Sequence, residues 1–75
     1  MRVLLIEDDL KIAQFVMKGL RAAELSADHA EDGESGLTMA LTGPYDVAVV
    51  DLMLPGRDGL SVIREMRREK VDTPV

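Results

Sequence analysis

The sequence predicts an α/β fold in which the three strands of a parallel sheet alternate with three helices. Two short continuous runs of apolar residues, Val3–Ile6 and Val47–Val50, are typical of strands that are covered on both faces. Each run is followed, directly or after a loop, by apolar residues at intervals of three and four, which is typical of an amphipathic helix. This alternation favours right-handed crossovers, which place helices on both faces of the sheet.

The predicted elements, in chain order, are β1 at residues 2–7, α1 at about 10–23, β2 at 26–30, α2 at about 34–42, β3 at about 46–51 and α3 at about 58–69. Asp8 or Asp9 is available as the N-cap of α1, whose apolar stripe begins at Leu10. The composition of β2 is weak for a strand, but its place between two helices favours one. Gly43-Pro44 ends α2, and a loop with Pro55-Gly56 separates β3 from α3.

Composition and charge indicate one small soluble globular domain. The 75 residues are 47% hydrophobic and 31% charged, with a formal net charge of -5. The absence of cysteine excludes a disulfide framework, a thiolate metal site and a cysteine nucleophile, and we therefore expect a cytoplasmic protein. The acidic balance argues against direct contact of this chain with nucleic acid, and no apolar run approaches the ~20 residues of a membrane span.

Acidic residues follow two of the predicted strands at the point where each strand ends. Glu7, Asp8 and Asp9 follow β1, and Asp51 ends β3. If the strand order is 2-1-3, these carboxylates converge at the switch point of the sheet, where doubly wound folds bind ligands. Clustered carboxylates repel one another unless a hard divalent cation joins them, and Mg²⁺ takes oxygen ligands of this kind. A carboxylate on such a metal can also attack a phosphoryl group as a nucleophile.

The same acidic residues also have a purely structural interpretation. Asp is a favoured N-cap residue, so capping of α1 explains Asp8 and Asp9 as well as metal binding does. Asp51 favours the functional interpretation, because a Pro-Gly loop rather than a helix follows it and leaves it without a capping role.

Three segments together resemble one protein family: VLLIEDD at residues 3–9, YDVAVVDLMLPGRDGL at 45–60 and TPV at 73–75. They closely resemble the N-terminal part of a bacterial response-regulator receiver domain, and LMLPGRDG is similar to the winged-helix transcriptional regulators. The resemblance implies a partial flavodoxin-like receiver over residues 1–75, a three-stranded parallel sheet in order 2-1-3 with three helices. A complete receiver has five strands in order 2-1-3-4-5, so we expect its last two strands and their helices to be missing.

The resemblance also implies a role for individual residues. Asp51 is the implied phosphoacceptor, Asp8 a direct Mg²⁺ ligand, Glu7 a ligand acting largely through water, and the Met53 backbone carbonyl a further ligand. The implied protein is a signalling module rather than an enzyme. Its phosphodonor is a sensor histidine kinase, and a DNA-binding domain elsewhere in the full-length protein controls transcription.

Matches to the family and departures from it both affect function. Pro55 and Gly59 match the loop that presents the site residues, whereas Glu24 and Leu25 stand where relatives often carry Gly and an aromatic residue. We therefore expect a different turn between α1 and β2. The family's switch Thr or Ser and its Lys belong to the missing strands, and Thr73 does not substitute because it precedes the fourth strand. The fragment is therefore expected to be incompetent in switching.

Two other classes of protein share parts of this pattern. A metal-dependent phosphohydrolase would also place a nucleophilic Asp at a strand end, but such enzymes usually carry a second Asp two residues later, where this chain has Met53. A purely structural α/β fragment would assemble without chemistry. We interpret the single histidine, His29, as an ordinary solvent-facing residue of β2.

The position of β3 predicts self-association. In the order 2-1-3 this strand lies at an edge of the sheet, although Val47–Val50 is as apolar as an interior strand. An apolar edge with unpaired backbone groups is a template for pairing with another chain. We therefore expect a homodimer, with two-fold symmetry, built on the β3 edge with α3 nearby.

Overall fold

The computed structural model describes all 75 residues and shows strands alternating with helices. The elements are β1 (Arg2–Ile6), α1 (Leu10–Ala22), β2 (Ser26–Ala30), α2 (Gly33–Thr42), β3 (Val47–Val50) and α3 (Gly59–Arg68). All strands are parallel and form one sheet in the order β2-β1-β3. The predicted fold class, strand order and helices are confirmed, and no element end differs from its predicted position by more than one residue. None of the helices combines the length and apolarity needed to pass through a bilayer.

The two faces of the sheet are buried unequally. Helices α2 and α3 cover one face, and α1 covers the other with a smaller cluster of Leu5, Ala13 and Met17. The larger cluster consists of Leu4, Ile6, Ala30, Leu37, Ala40, Ala48, Val62 and Met66. Successive residues of a strand point to opposite faces, so β1 is buried throughout from Val3 to Ile6, as its continuous apolar run predicts.

The edge strand β3 is covered less completely than its apolar run predicts. Ala48 is buried against α2 and α3, but Val49 points to the other face and is 46% exposed. The expectation of cover on both faces is wrong here, because α1 lies over β1 and β2 rather than over β3. On the outer edge, the Ala48 N–H donates to the Pro74 carbonyl oxygen at 2.8 Å. The last residues of the chain therefore pair with part of this edge.

The turn between α1 and β2 contains a left-handed residue. Glu24 has a φ of 63°, a conformation that costs a non-glycine residue roughly 1–2 kcal/mol. Its N–H donates to the Arg21 carbonyl oxygen at 2.9 Å. Glycine is the residue that favours this conformation at a helix end, so the chain tolerates local strain in this turn.

A polar cluster joins β1, β2 and the segment before β3. The Asp28 carboxylate oxygen Oδ2 accepts hydrogen bonds from the Tyr45 hydroxyl at 2.8 Å and from the Arg2 guanidinium at 2.9 Å. The same guanidinium carbon lies 5.9 Å from the centroid of the Tyr45 ring. The hydrogen bond from Tyr45 lowers the pKa of Asp28, and burial raises the pKa of Tyr45.

We expect Tyr45→Phe to lower the free energy of unfolding by about 1 kcal/mol at neutral pH, because the hydrogen bond to Asp28 is lost. The lowered pKa of Asp28 stabilises the fold above the ordinary Asp pKa, and this contribution disappears as the pH falls through the folded-state value. The raised pKa of Tyr45 stabilises the fold below the ordinary Tyr pKa, and this contribution disappears as the pH rises through the folded-state value. Denaturant unfolding of the parent protein and Tyr45→Phe across pH measures the difference in their free energies of unfolding. This difference should shrink in acid and in alkali, and a difference that stays constant with pH would contradict this account.

Candidate metal centre

Carboxylates from two neighbouring strands meet at one end of the sheet. Glu7 and Asp8 follow β1 and Asp51 follows β3, and one oxygen from each lies within 4.8 Å of the others. The Asp51 N–H donates to the Ile6 carbonyl oxygen at 2.9 Å, which continues the β1–β3 pairing up to the cluster. The convergence expected from the strand order is therefore present for Glu7, Asp8 and Asp51, but Asp9 does not join them.

Asp9 lies outside this cluster and caps α1. Its Oδ1 accepts hydrogen bonds from the backbone N–H groups of Lys11 at 3.0 Å and Ile12 at 3.2 Å. Of the two candidate caps the structure selects Asp9, which leaves the exposed Asp8 without a capping role. The Asp9 N–H also donates to Glu7 Oε1 at 3.2 Å and so restrains the Glu7 carboxylate.

The loop that follows β3 orients the Asp51 side chain. The Met53 N–H donates to Asp51 Oδ1 at 3.1 Å, while Oδ2 accepts no hydrogen bond from the protein. Asp51 is half-buried, whereas Met53 is 84% exposed. One carboxylate oxygen is thus held by the backbone, and the other is available to a ligand or a reactant.

The electrostatics of the cluster favour a divalent cation. The carboxylate oxygens of the cluster lie no more than 4.8 Å apart. Two unit charges at this separation repel by roughly 3 kcal/mol at an effective dielectric constant of about 20. None of the ion pairs of the protein involves the cluster, because they join Arg2 to Asp28, Arg57 to Glu34 and Arg68 to Glu65. A set of partly exposed oxygen donors without a basic partner fits Mg²⁺.

Close packing at two glycines holds the loop between β3 and α3. A Cβ atom at Gly59 would collide with the Asp51 carbonyl oxygen and lie 2.8 Å from the Leu52 Cα. The Gly59 N–H donates to the Leu52 carbonyl oxygen at 3.0 Å. A Cβ atom at Gly33 would overlap the Arg57 carbonyl oxygen from the other side. Glycine is therefore needed at both positions so that the backbone segments can approach.

Arg57 is a supporting residue that the sequence analysis did not identify. Its Nε donates to Glu34 Oε1 at 2.9 Å, and its Nη1 donates to Ser61 Oγ at 3.0 Å. These contacts tie the loop to the first turns of α2 and α3. The Pro-Gly loop gives no signal of them in the sequence, because Glu34 and Ser61 come from different helices.

The His29 side chain is less exposed than the sequence predicts. It is half-buried, and its Nε2 lies 2.8 Å from the Glu7 carbonyl oxygen. The strand pairing brings His29 opposite Leu5, on the face that α1 covers and next to the end of β1, so the ring faces solvent only in part. The ring therefore contacts the backbone of a cluster residue.

A doubly wound parallel sheet with three carboxylates at its switch point is the arrangement of the receiver class of signalling domains. The chain belongs to the response regulator receiver domain family, because the sequence model of that family matches residues 3–75. The resemblance found in the sequence is thereby confirmed.

Curated relatives are transcription regulators. The transcriptional activator protein IrlR of Burkholderia pseudomallei is 45% identical over 75 residues, which are 100% of this chain and 32% of that protein. The transcriptional regulatory protein CusR of Escherichia coli is 35% identical over 75 residues, again 100% of this chain and 33% of that protein. The chain thus spans about a third of the length of these relatives. The predicted similarity to transcriptional regulators is confirmed.

Solved receiver structures superpose closely on this chain. The receiver domain of the Francisella response regulator 1452 has a TM-score of 0.95 and 38% identity, and the match covers 99% of this chain and 61% of that one. The response regulator TrrA of Thermotoga maritima in complex with Mg²⁺ and BeF has a TM-score of 0.87 and 33% identity, with coverage of 92% and 60%. TrrA in complex with the histidine kinase ThkA gives the same TM-score of 0.87 at 33% identity, with coverage of 96% and 62%.

Proposed function

We propose that this chain is a phosphoacceptor module in which Asp51 accepts a phosphoryl group with the help of Mg²⁺. The observation that carries the proposal is the set of carboxylate oxygens of Glu7, Asp8 and Asp51 within 4.8 Å of one another. Asp8, Asp51 and the Met53 carbonyl are the proposed direct ligands, and Glu7 is proposed to act largely through water. The related TrrA forms a complex with Mg²⁺ and BeF, which supports a part for Mg²⁺ in this family.

Asp51 is suited to the role of nucleophile by its hydrogen bonding. The Met53 N–H holds Oδ1, so Oδ2 can form the bond to phosphorus while the bond from phosphorus to the leaving group breaks. The leaving group departs with the electron pair of that bond, and the product is an acyl phosphate on Asp51. When bound, Mg²⁺ would offset the negative charge that gathers on the phosphoryl oxygens. Asp9 contributes indirectly, because its N–H restrains the Glu7 carboxylate.

We further propose that the phosphoryl donor is a phosphohistidine of a sensor kinase and that the full-length protein controls transcription. The related TrrA forms a complex with the histidine kinase ThkA, and relatives such as IrlR are transcriptional activators. The net charge of -5 makes this chain itself unsuited to DNA. A separate DNA-binding domain is therefore proposed for the full-length protein.

Phosphorylation by a small-molecule donor tests the proposed function. The chain is incubated with an acyl phosphate and Mg²⁺, and intact-mass spectrometry and peptide mapping follow the product. We expect one phosphoryl group, located on Asp51 and labile to hydroxylamine as an acyl phosphate. Release of inorganic phosphate over many turnovers would instead indicate a phosphohydrolase. If neither a phosphorylated product nor turnover is observed, the chain is a structural fragment without this chemistry.

We propose that these 75 residues do not switch an output by themselves. The family's switch Thr or Ser and its Lys belong to its fourth and fifth strands, and the strands here are β1, β2 and β3. We therefore expect a phosphoryl group on Asp51 to be poorly coupled to a distant surface. The phosphorylated chain, fused to a DNA-binding domain, is expected to leave transcription near its basal level. Activation equal to that of a complete receiver would refute this prediction.

We also propose a homodimer through the β3 edge. Val49 is 46% exposed on a face that α1 does not cover, and burial of such apolar surface favours a second copy. The bond from Ala48 to Pro74 occupies part of the outer edge. Backbone groups alternate along the strand, so the free part of the edge lies at Val50, next to the exposed Val49 side chain. Sedimentation at several concentrations should show a dimer that Val49→Lys dissociates. A concentration-independent monomer would contradict the dimer, and a dimer that survives Val49→Lys would move the interface away from β3.

A further inference from the structure

The end of β1 is held by β2 through two contacts of different kinds. The Glu7 N–H donates to the Ala30 carbonyl oxygen at 3.1 Å, which is an ordinary bond of the parallel ladder. The Glu7 carbonyl oxygen lies 2.8 Å from His29 Nε2. A carbonyl oxygen only accepts hydrogen bonds, so Nε2 must carry a hydrogen and donate. The backbone of Glu7 is therefore fixed on both sides of its Cα.

The imidazole replaces a backbone donor that the sheet no longer supplies. In a parallel ladder, the partner of the Glu7 carbonyl would be the N–H of Asp32. That residue has already left the sheet and caps α2, with its Oδ1 accepting from the Ser35 N–H at 2.8 Å. Without His29, the Glu7 carbonyl oxygen would have no protein donor.

The peptide bond that His29 holds connects the first two residues of the acidic cluster. The Glu7 carbonyl and the Asp8 N–H lie in one rigid plane, so a bond to that carbonyl sets the direction in which the chain enters Asp8. The carboxylates of both residues lie within 4.8 Å of Asp51. A rotation of this plane would change the separation of the oxygens that converge there.

We propose that His29 is a positioning residue for the metal centre, acting through the peptide plane between Glu7 and Asp8. The inference rests on the proposed function, because it assigns His29 a part in Mg²⁺ binding. Groups that orient metal ligands from outside the coordination sphere typically change metal affinity by 10- to 100-fold. The effect at His29 is expected near the lower end of this range, since it holds backbone rather than a ligand side chain.

Three substitutions separate the donor from the bulk of the ring. His29→Gln places an amide N–H about as far along the side chain as Nε2, His29→Asn places it one bond too short, and His29→Phe keeps the ring without any donor. The ring lines an open cleft of about 640 Å³ between α1 and β2, so none of these side chains has to enter a closed core. Thr42→Val is the matched control, because it removes a side-chain bond of 2.8 Å to a backbone carbonyl at the far end of α2.

Mg²⁺ titration followed by backbone amide resonances, together with amide hydrogen exchange without metal, tests the proposal. We expect His29→Phe and His29→Asn to weaken Mg²⁺ binding by about tenfold and to speed exchange of the hydrogen-bonded amides of Glu7 and Asp9. The Mg²⁺ affinity of His29→Gln should remain within about twofold of that of the parent protein. The control Thr42→Val should bind Mg²⁺ as tightly as the parent protein. Equal Mg²⁺ affinity for the parent and His29→Phe would overturn the role of His29 while leaving the proposed function intact. A parent protein that binds no Mg²⁺ would overturn the proposed function and this inference with it.

Discussion

Replacing Asp51 by Asn is expected to abolish phosphoryl uptake and to weaken Mg²⁺ binding by at least about tenfold, or ~1.4 kcal/mol. The amide is a poor nucleophile, and it lacks the charge that Asp51 adds to the cluster with Glu7 and Asp8. Without Mg²⁺ the same substitution should raise the free energy of unfolding, because one of the mutually repelling carboxylates is gone. The sign of the stability change should therefore depend on whether Mg²⁺ is present.

Mass spectrometry measures the phosphoryl uptake. Calorimetric titration measures the Mg²⁺ affinity, and thermal unfolding with and without Mg²⁺ measures the change in stability. Asp72→Asn is the matched control, since it removes the same charge from an exposed residue far from the cluster in the chain. It should retain phosphorylation and the Mg²⁺ affinity of the parent protein. If Asp51→Asn binds Mg²⁺ as tightly as the parent, the assignment of the site is wrong.

Gly59→Ala is expected to lower the free energy of unfolding by about 2 kcal/mol, because the new methyl group cannot be accommodated against backbone atoms. It would collide with the Asp51 carbonyl oxygen and lie 2.8 Å from the Leu52 Cα. The loop must then move, and Asp51 moves with it. Mg²⁺ affinity should fall together with stability, by about tenfold or more.

Gly19→Ala provides the matched control for this substitution. Gly19 lies within α1, and a Cβ atom there would meet nothing within 4 Å. Alanine at this position should raise the free energy of unfolding by roughly 0.5–1 kcal/mol and leave Mg²⁺ affinity unchanged. Urea unfolding and Mg²⁺ titration of the two variants measure both effects. Opposite signs of stability change are expected, and a Gly59→Ala protein as stable as the parent would contradict the close packing of the loop at Gly59.

The sequence by itself determined the fold class and the location of the acidic cluster. Branched apolar runs and helical spacing depend on short stretches of chain, so each element could be assigned from its own residues, and their alternation leads to one parallel sheet. Asp51 could be singled out for the same reason, because it follows the most apolar strand and precedes a loop. The resemblance to receivers then supplied the roles of Glu7, Asp8 and Met53, which remain proposals.

Only the tertiary structure decided which of these groups touch one another. Asp8 and Asp9 are equivalent as caps in the sequence, and the direction in which the chain enters α1 makes Asp9 the cap. The cover of Val49 depends on where α1 crosses the sheet, and this is set by packing over β1 and β2. The contact of His29 with the Glu7 carbonyl joins residues far apart in the chain, and it exists because strand pairing sets β1 and β2 in register. Contacts of this kind depend on strand register and helix placement, which no local pattern of residues encodes.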